Sequence, residues 1–322
     1  MNSHTPCRPL FSALLPALLL VLTSLFAGCG GSASISANSP ASPSPTPPAP
    51  TTGMPTSQHV VLVMEENQAY PTVAANPAWP HLNAMIKAGA LANNYFADAH
   101  PSIPNYFMLT TGQPVTFDDS SLQVQNVDSI ARRMLAQKMS FKVYAEGITA
   151  GYLGGNTGLY VIRHNPFALL SDVASNQQVA NQVIQPFTQF TSDVNNKTLP
   201  AFSFVVPNLN DDAHNGTPQA ADTWLQSNII GPLAANPAFQ TGGDGLLIVV
   251  FDESSGIDIA NGGGHVVCAL WGPIVKAGYT QTTKNAYQHQ NLLRTVMEVL
   301  SLPNPPATAA ISSDMGEFFN LK

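Results

Sequence analysis

The chain has 322 residues, with 12 Lys and Arg against 19 Asp and Glu and a net charge of −7. With no basic cluster in the part expected to fold, nucleic-acid binding through phosphate contacts is excluded as a main activity. Of the three cysteines, Cys7 and Cys29 lie in the N-terminal segment and only Cys268 falls in the expected domain, which excludes a disulfide framework.

Arg8 is followed by an almost uncharged apolar run from Leu10 to Phe26, then by Ala27, Gly28 and Cys29. The run is at the lower limit for a membrane span, and a cysteine stands where a small-residue cleavage site is expected, which predicts a signal peptide over 1–28. The L-F-A-G-C stretch resembles the bacterial lipoprotein signal, and the resemblance implies export, lipid attachment at Cys29 and anchoring to the cell envelope. An ordinary cleaved signal with secretion is the alternative.

From Gly30 to Gln58 the chain contains no aromatic or charged residue and includes S-P-S-P-T-P-P-A-P. Such a stretch cannot bury enough apolar surface to fold, and its prolines keep it partly extended, so 29–58 is predicted to be a disordered tether. Residues 59–322 are of a length suited to one domain.

In that domain the first element is a continuous apolar run, His59 to Met64, ending in Glu65, Glu66 and Asn67. This is the pattern of a buried parallel strand whose carboxyl end faces a site. Leu82, Met85 and Ile86 follow with helical spacing, as do Val127, Ile130 and Met134. Ser140 to Tyr144 precedes Glu146, Ala201 to Val206 precedes Pro207 and Asn208, and Leu246 to Phe251 precedes Asp252 and Glu253, with a helix predicted around Ala221, Trp224 and Leu225. A last helix is predicted through Leu292, Leu293, Val296, Val299 and Leu300. Strands alternating with helices predict an α/β fold with a mainly parallel sheet covered on both faces, in which ligands bind beyond the carboxyl ends of the strands. Residues 65–67, 146, 208–214 and 252–253 are therefore expected to converge.

Each polar group has a plain reading and a chemical one. An acidic pair after a strand is commonly a solvated loop or a helix cap, but two such pairs at converging strand ends offer hard oxygen ligands for Mg, Ca, Mn or Zn. Ser102, between Pro101 and Ile103–Pro104 in H-P-S-I-P-N-Y, is either a helix cap or a nucleophile. Free amides and the positive end of a helix at that point would favour an alkoxide and a bound phosphate.

The segments V-L-V-M-E-E-N, H-P-S-I-P-N-Y, V-V-P-N-L-N-D-D-A-H, I-V-V-F-D-E and H-Q-N-L-L-R-T resemble the bacterial phosphoesterase family of acid phosphatases and phospholipases C, within the alkaline phosphatase superfamily. S-I-P-N-Y is also similar to the T-x-P-N-H segment of nucleotide pyrophosphatases, whose threonine is the covalent nucleophile. The resemblance implies that Ser102 attacks, that Glu66, Asn67, Asp252 and Glu253 hold a divalent metal, and that Asn105 holds a phosphate oxygen or the turn itself. It puts Asp212 and His214 in P-N-L-N-D-D-A-H in the places of second-metal ligands, with His265 completing the set. The Asp-x-x-x-His spacing of two-metal relatives is absent, since position 210 is Asn, so Asp212, His214 and His265 alternatively orient substrate, activate water or protonate the leaving oxygen. R-H-N-P-F resembles K-H-N-P-F of the family and implies that Arg163 and His164 bind substrate, with a capped turn before Pro166 as the alternative. Glu146 also fits the family pattern, with an ion pair to Arg163 or Lys142 as the equal alternative, and His289 resembles the histidine of the family's Y-x-H-x-S-L-L-R-T, with a buried ring at a helix cap as the plain reading.

The implied activity is metal-dependent hydrolysis of a phosphorylated small molecule or lipid through a phosphoserine, with no obligate protein partner. A sulfatase is disfavoured, because position 106 is Tyr where a Ser-x-Pro-x-Arg motif has Arg. A lipid-tethered binding protein with an inactive phosphatase-like fold is the rival from another class.

Overall fold

The computed structural model describes residues 47–322. The expected signal peptide, Cys29 and the first part of the tether lie outside the described residues. The end of the tether does not stand off from the domain. The Thr51 amide donates to Asp314 Oδ2 at 2.7 Å, Arg294 Nη2 donates to the Pro48 carbonyl, and the Ser57 amide donates to the Val299 carbonyl at 2.7 Å. Docking of the described chain thus extends back to Pro48, well before His59. A segment too polar to form a core is fixed here by backbone hydrogen bonds to residues far along the sequence.

Among the described residues eight strands make one sheet: β1 (Val60–Glu65), β2 (Ala90–Ala92), β3 (Phe141–Ala145), β4 (Ile184–Pro186), β5 (Phe202–Val206), β6 (Leu246–Phe251), β7 (Cys268–Trp271) and β8 (Tyr279–Thr280). Their order is β4-β3-β5-β1-β6-β7-β2-β8. Strand β1 lies between β5 and β6 and is parallel to both, with Val60 opposite Phe202 on one side and Leu246 on the other, and Glu65 opposite Phe251. Pairings β3–β4, β3–β5 and β2–β8 are also parallel, whereas β7 runs antiparallel to β6 and β2. The sheet is mixed, with its antiparallel part confined to one side and the four strands expected from apolar runs forming the parallel centre. All residues of β1, β5 and β6 are buried, as strands covered on both faces require.

Helices Pro80–Ala88, Ile130–Ala136, Pro218–Leu225 and His289–Val299 stand where periodicity predicts them. Val127 falls before the second of these, because Ser129 stops the chain short by accepting the Arg132 amide as its N-cap. Helix Ser102–Thr111 is buried along its whole length and ends on Gly112, which adopts the left-handed conformation at φ 69° while its amide donates to the Met108 carbonyl. The carboxyl ends of β1 and β6 and the start of this helix meet at one place.

Candidate active site

Strand β1 delivers Glu66 and Asn67 and strand β6 delivers Asp252 and Glu253, while the Ser102–Thr111 helix presents Ser102 at its first turn. Ser102 Oγ donates toward Glu66 Oε2 at 3.1 Å and Glu253 Oε1 at 3.3 Å. It is the first helical residue and caps nothing. The capping acceptor is Asp119 Oδ1, which receives the Ile103 amide at 3.0 Å. The serine hydroxyl is thus left to the carboxylates. Asn67, in the left-handed region at φ 53°, turns the chain so that its amide donates to Asp252 Oδ1 at 2.9 Å and its side chain donates to Glu66 Oε2 at 3.0 Å.

Around Glu66 the structure adds a residue that motif reading does not give a role. Tyr106 OH donates to Glu66 Oε1 at 2.6 Å, and its ring stacks on His164 with centroids 5.0 Å apart. His164 is 1% exposed, with Nε2 at 3.1 Å from Glu66 and Nδ1 at 3.3 Å from Asp212, at ion-pair distance but not aligned for hydrogen bonds. This corrects the expectation that His164 binds substrate. Burial holds its ring neutral by pushing its pKa well down, with Arg163 adding to the shift. Its place is beneath the site, between two carboxyls. Replacing Tyr106 by Phe removes a donor to Glu66 without changing ring packing and should cost roughly 10–100-fold in turnover, the usual effect of losing a group that orients a ligand; initial rates with matched thermal unfolding check it.

His100 is the other addition. Its Nδ1 lies 2.5 Å from Glu253 Oε2, and Nε2 lies 3.0 Å from the Asp258 carbonyl. A carbonyl only accepts, so Nε2 carries hydrogen, while Glu253 Oε2 lies beside Nδ1 at ion-pair distance but not aligned for a hydrogen bond. The signal for His100 in the sequence is its place two residues before Ser102.

Four carboxyls are thus gathered with 0–5% exposure: Glu66, Asp252, Glu253 and Asp212. Burial, reinforced by Glu253, raises the Asp252 pKa to about 8, and burial raises those of Glu253 and Asp212 to about 7. Glu66 is raised well above the carboxylate range by burial first and by Asp252 and Asp212 next, against the lowering effect of the Tyr106 hydrogen bond. Among the described residues their ion-pair partners are imidazoles, not Lys or Arg. Such a group is stable when it takes up protons or a cation.

Among the described residues no three His, Cys, Asp or Glu side chains stand as a ready-made metal cage. The donor chemistry nevertheless fits a hard divalent ion, since Asp252 Oδ2 is buried without a hydrogen-bond partner and the Asn67 side-chain oxygen and Ser102 hydroxyl complete an all-oxygen set. Asp212 sits behind Glu66, its backbone carbonyl accepting the Glu66 amide at 2.8 Å and its Oδ1 accepting the His214 amide at 2.9 Å.

The remaining expectations separate. Arg163 Nη2 donates to His214 Nε2 at 3.2 Å, and its Nε lies 3.7 Å from Asp119, so Arg163 and the exposed His214 flank the serine through Asp119. His265 does not join Asp212 and His214. It stacks on Tyr70 at 4.1 Å, and its Nε2 donates to the Asn93 carbonyl. Asn105 is fully buried and spent on the turn, its Oδ1 accepting the Asp98 and Ala99 amides and its Nδ2 donating to the Ala99 and Pro101 carbonyls. No phosphate contact is left to it. Glu146 meets neither expected cation, accepting instead from Asn208 and from Trp224 Nε1; Lys142 pairs with Asp193. His289 is buried, receives Tyr95 OH at Nδ1 and donates from Nε2 to the Asp252 carbonyl at 2.8 Å, and burial lowers its pKa to about 4. It fixes the backbone that carries Asp252.

The phosphoesterase family pattern matches residues 72–303. The chain is 29% identical over 255 residues to a phosphatidylinositol-3-phosphatase of Mycobacterium tuberculosis, covering 78% of this chain and 80% of that one. It is 31% identical over 233 residues to a phosphate-repressible acid phosphatase of Penicillium chrysogenum, covering 70% of this chain and 55% of the fungal protein, so it spans little more than half of that relative. Among solved structures, a protein of the alkaline phosphatase superfamily from Vibrio parahaemolyticus superposes with a TM-score of 0.54 at 13% identity, over 83% of this chain and 71% of that chain.

Proposed function

Since the chain belongs to the phosphoesterase family and is a hydrolase of phosphoric esters, we propose that it acts on phosphate monoesters with Ser102 as nucleophile and with a divalent metal held by Glu66, Asn67, Asp252 and Glu253. The observation that carries this reading is the Ser102 hydroxyl, 2% exposed and within hydrogen-bond reach of both Glu66 and Glu253. Monoesters are favoured because the relatives named above are phosphatases. A bound cation supplies charge neutralisation and makes the hydroxyl a stronger acid.

The residues of the chain do the rest. Glu253 relays the Ser102 proton to His100 Nδ1, which faces its second oxygen, and keeps its carboxylate for the cation. Ser102 Oγ forms a bond to phosphorus as the bond to the leaving oxygen breaks, and Arg163 holds the equatorial oxygens. As Arg163 turns from His214 Nε2 to the phosphate, that nitrogen takes up a proton from solvent, gives it to the leaving oxygen and then takes one from the water that releases phosphate from Ser102. Neutral His164 and Tyr106 keep Glu66 in place. Export and lipid attachment at Cys29 complete the proposal, supported by the sequence of residues 1–29.

Acid quenching during turnover of an aryl phosphate, followed by peptide mass spectrometry, should find phosphate on Ser102, and chelation should abolish turnover until a divalent ion is restored. Phosphate on another residue, or full activity after chelation, refutes the mechanism.

A further inference from the structure

Two loops beside Ser102 carry side chains that the fold does not use. On one side Asp119 caps the Ser102 helix at the Ile103 amide, and the same loop leaves Phe117 and Leu122 each 59% exposed. On the other the Asp258 carbonyl accepts from His100 Nε2, and its neighbours Ile257 and Ile259 are 96% and 71% exposed. His100 and Ile103 bracket Ser102 in the sequence, so the loops they hold lie on the two flanks of the nucleophile. Large apolar groups exposed in this way around a site mark a surface that meets another body.

The chemistry of the rim says which body. Neither 115–124 nor 255–262 contains Lys or Arg, and Asp118, Asp119 and Asp258 are their charged residues. This excludes recognition of an acidic peptide or an anionic bilayer by charge and suits the boundary between headgroups and acyl chains of a zwitterionic bilayer, which aliphatic and aromatic tips can enter. The start of the described chain points the same way. Pro48 and Thr51 are held by Arg294 and Asp314, and Ser313, next to Asp314, accepts from Asn291 in the first turn of the helix whose first residue, His289, donates to the Asp252 carbonyl. The described chain therefore begins beside a helix that starts at the site, and the Leu10–Phe26 run and Cys29 precede it in sequence.

We infer that Phe117, Leu122, Ile257 and Ile259 form a membrane-contact rim that seats the mouth of the site on a zwitterionic lipid surface, so that phosphate esters presented there reach Ser102. Only the last clause rests on the hydrolase reading.

The test uses the full chain in phosphatidylcholine vesicles. Ile257→Trp adds a fluorophore on the rim, and Leu135→Trp adds one at a 36% exposed apolar position beside Ser140 and Phe141, at the amino ends of the strands. Brominated phosphatidylcholine should quench the added emission of Ile257→Trp and spare that of Leu135→Trp; equal quenching, or none at Ile257→Trp, as a protein-docking surface would give, overturns the inference. In the same vesicles Ile257→Asn/Ile259→Asn should hydrolyse a lipid phosphomonoester about tenfold more slowly while keeping its rate on a soluble aryl phosphate, a change smaller than the transfer of two buried isoleucines allows. An unchanged ratio of the two rates also overturns it. A wild-type chain inactive on both esters refutes the hydrolase reading, and the quenching result still decides the contact.

Discussion

Ser102→Ala should lower kcat on aryl phosphates by about 10⁴-fold or more, the scale on which loss of a covalent nucleophile acts, while leaving the fold intact. The contrast is what makes the variant informative. Alanine is a good helix former, and the hydroxyl it removes caps nothing, since Asp119 supplies the acceptor for the Ile103 amide. The Ser102–Thr111 helix keeps its buried face and its Gly112 end. What changes is that Glu66 and Glu253 lose a shared donor. Thermal unfolding within a few degrees of wild type, together with the lost rate, is the expected pair of results. Ser102→Thr, which keeps a hydroxyl at the same position, should retain measurable turnover and phosphorylation. A Ser102→Ala chain with near-normal rate sinks the covalent mechanism however well the metal dependence holds.

The second large effect is a reversal of the usual pH dependence of stability. Asp252, Glu253 and Asp212 titrate in the folded protein at about 8, 7 and 7, against values near 4 in an unfolded chain. A carboxyl whose folded pKa is raised contributes stability that is complete below its unfolded pKa and is lost as pH rises through the folded one. Two buried imidazoles, His164 and His289, have lowered values and act oppositely, but only below the ordinary histidine range. Asp98, Glu146 and Glu298, each raised to about 7 by burial, act in the same direction, so raised carboxyls govern the window from about pH 6.5 to 8.5. Over it the metal-free protein should lose on the order of 5 °C in Tm. Because ligands bind a cation in their deprotonated form, adding a divalent ion should raise Tm more at pH 8 than at pH 5.5. Scanning calorimetry of chelated protein that shows flat or rising stability across this window would contradict the carboxyl assignment.

Much of this architecture can be read in the sequence because its central strands are dry on both faces. Val60–Met64, Phe202–Val206 and Leu246–Phe251 are unbroken apolar runs, and their ends mark the site. The short outer strands are illegible for the same reason: β2, β4 and β8 have three, three and two residues, too few to show a period, and their pairing depends on partners far away. Within the site, acidic residues announce themselves by standing after apolar runs. Tyr106 and His164 do not, because their roles depend on a stack and on shared carboxyls that join three separate segments. His164 reads as a surface phosphate ligand beside Arg163 in sequence, yet the 3₁₀ turn Ile162–His164 points the two side chains differently, one toward Asp119 and His214 and one into the core. Asn105 is similarly ambiguous until its four hydrogen bonds are seen.

The position of β1 in the sheet has a consequence for how the chain is made. The strand at the centre of the sheet is the first to be synthesised, but its neighbours are residues 202–206 and 246–251. Its apolar row stays exposed until most of the polypeptide exists, so folding is dominated by contacts of long sequence separation and cannot proceed segment by segment from the N-terminus. A nascent or C-terminally shortened chain lacking β6 holds an unpaired hydrophobic strand, and its fate is set by whatever keeps that strand apart from others of its kind.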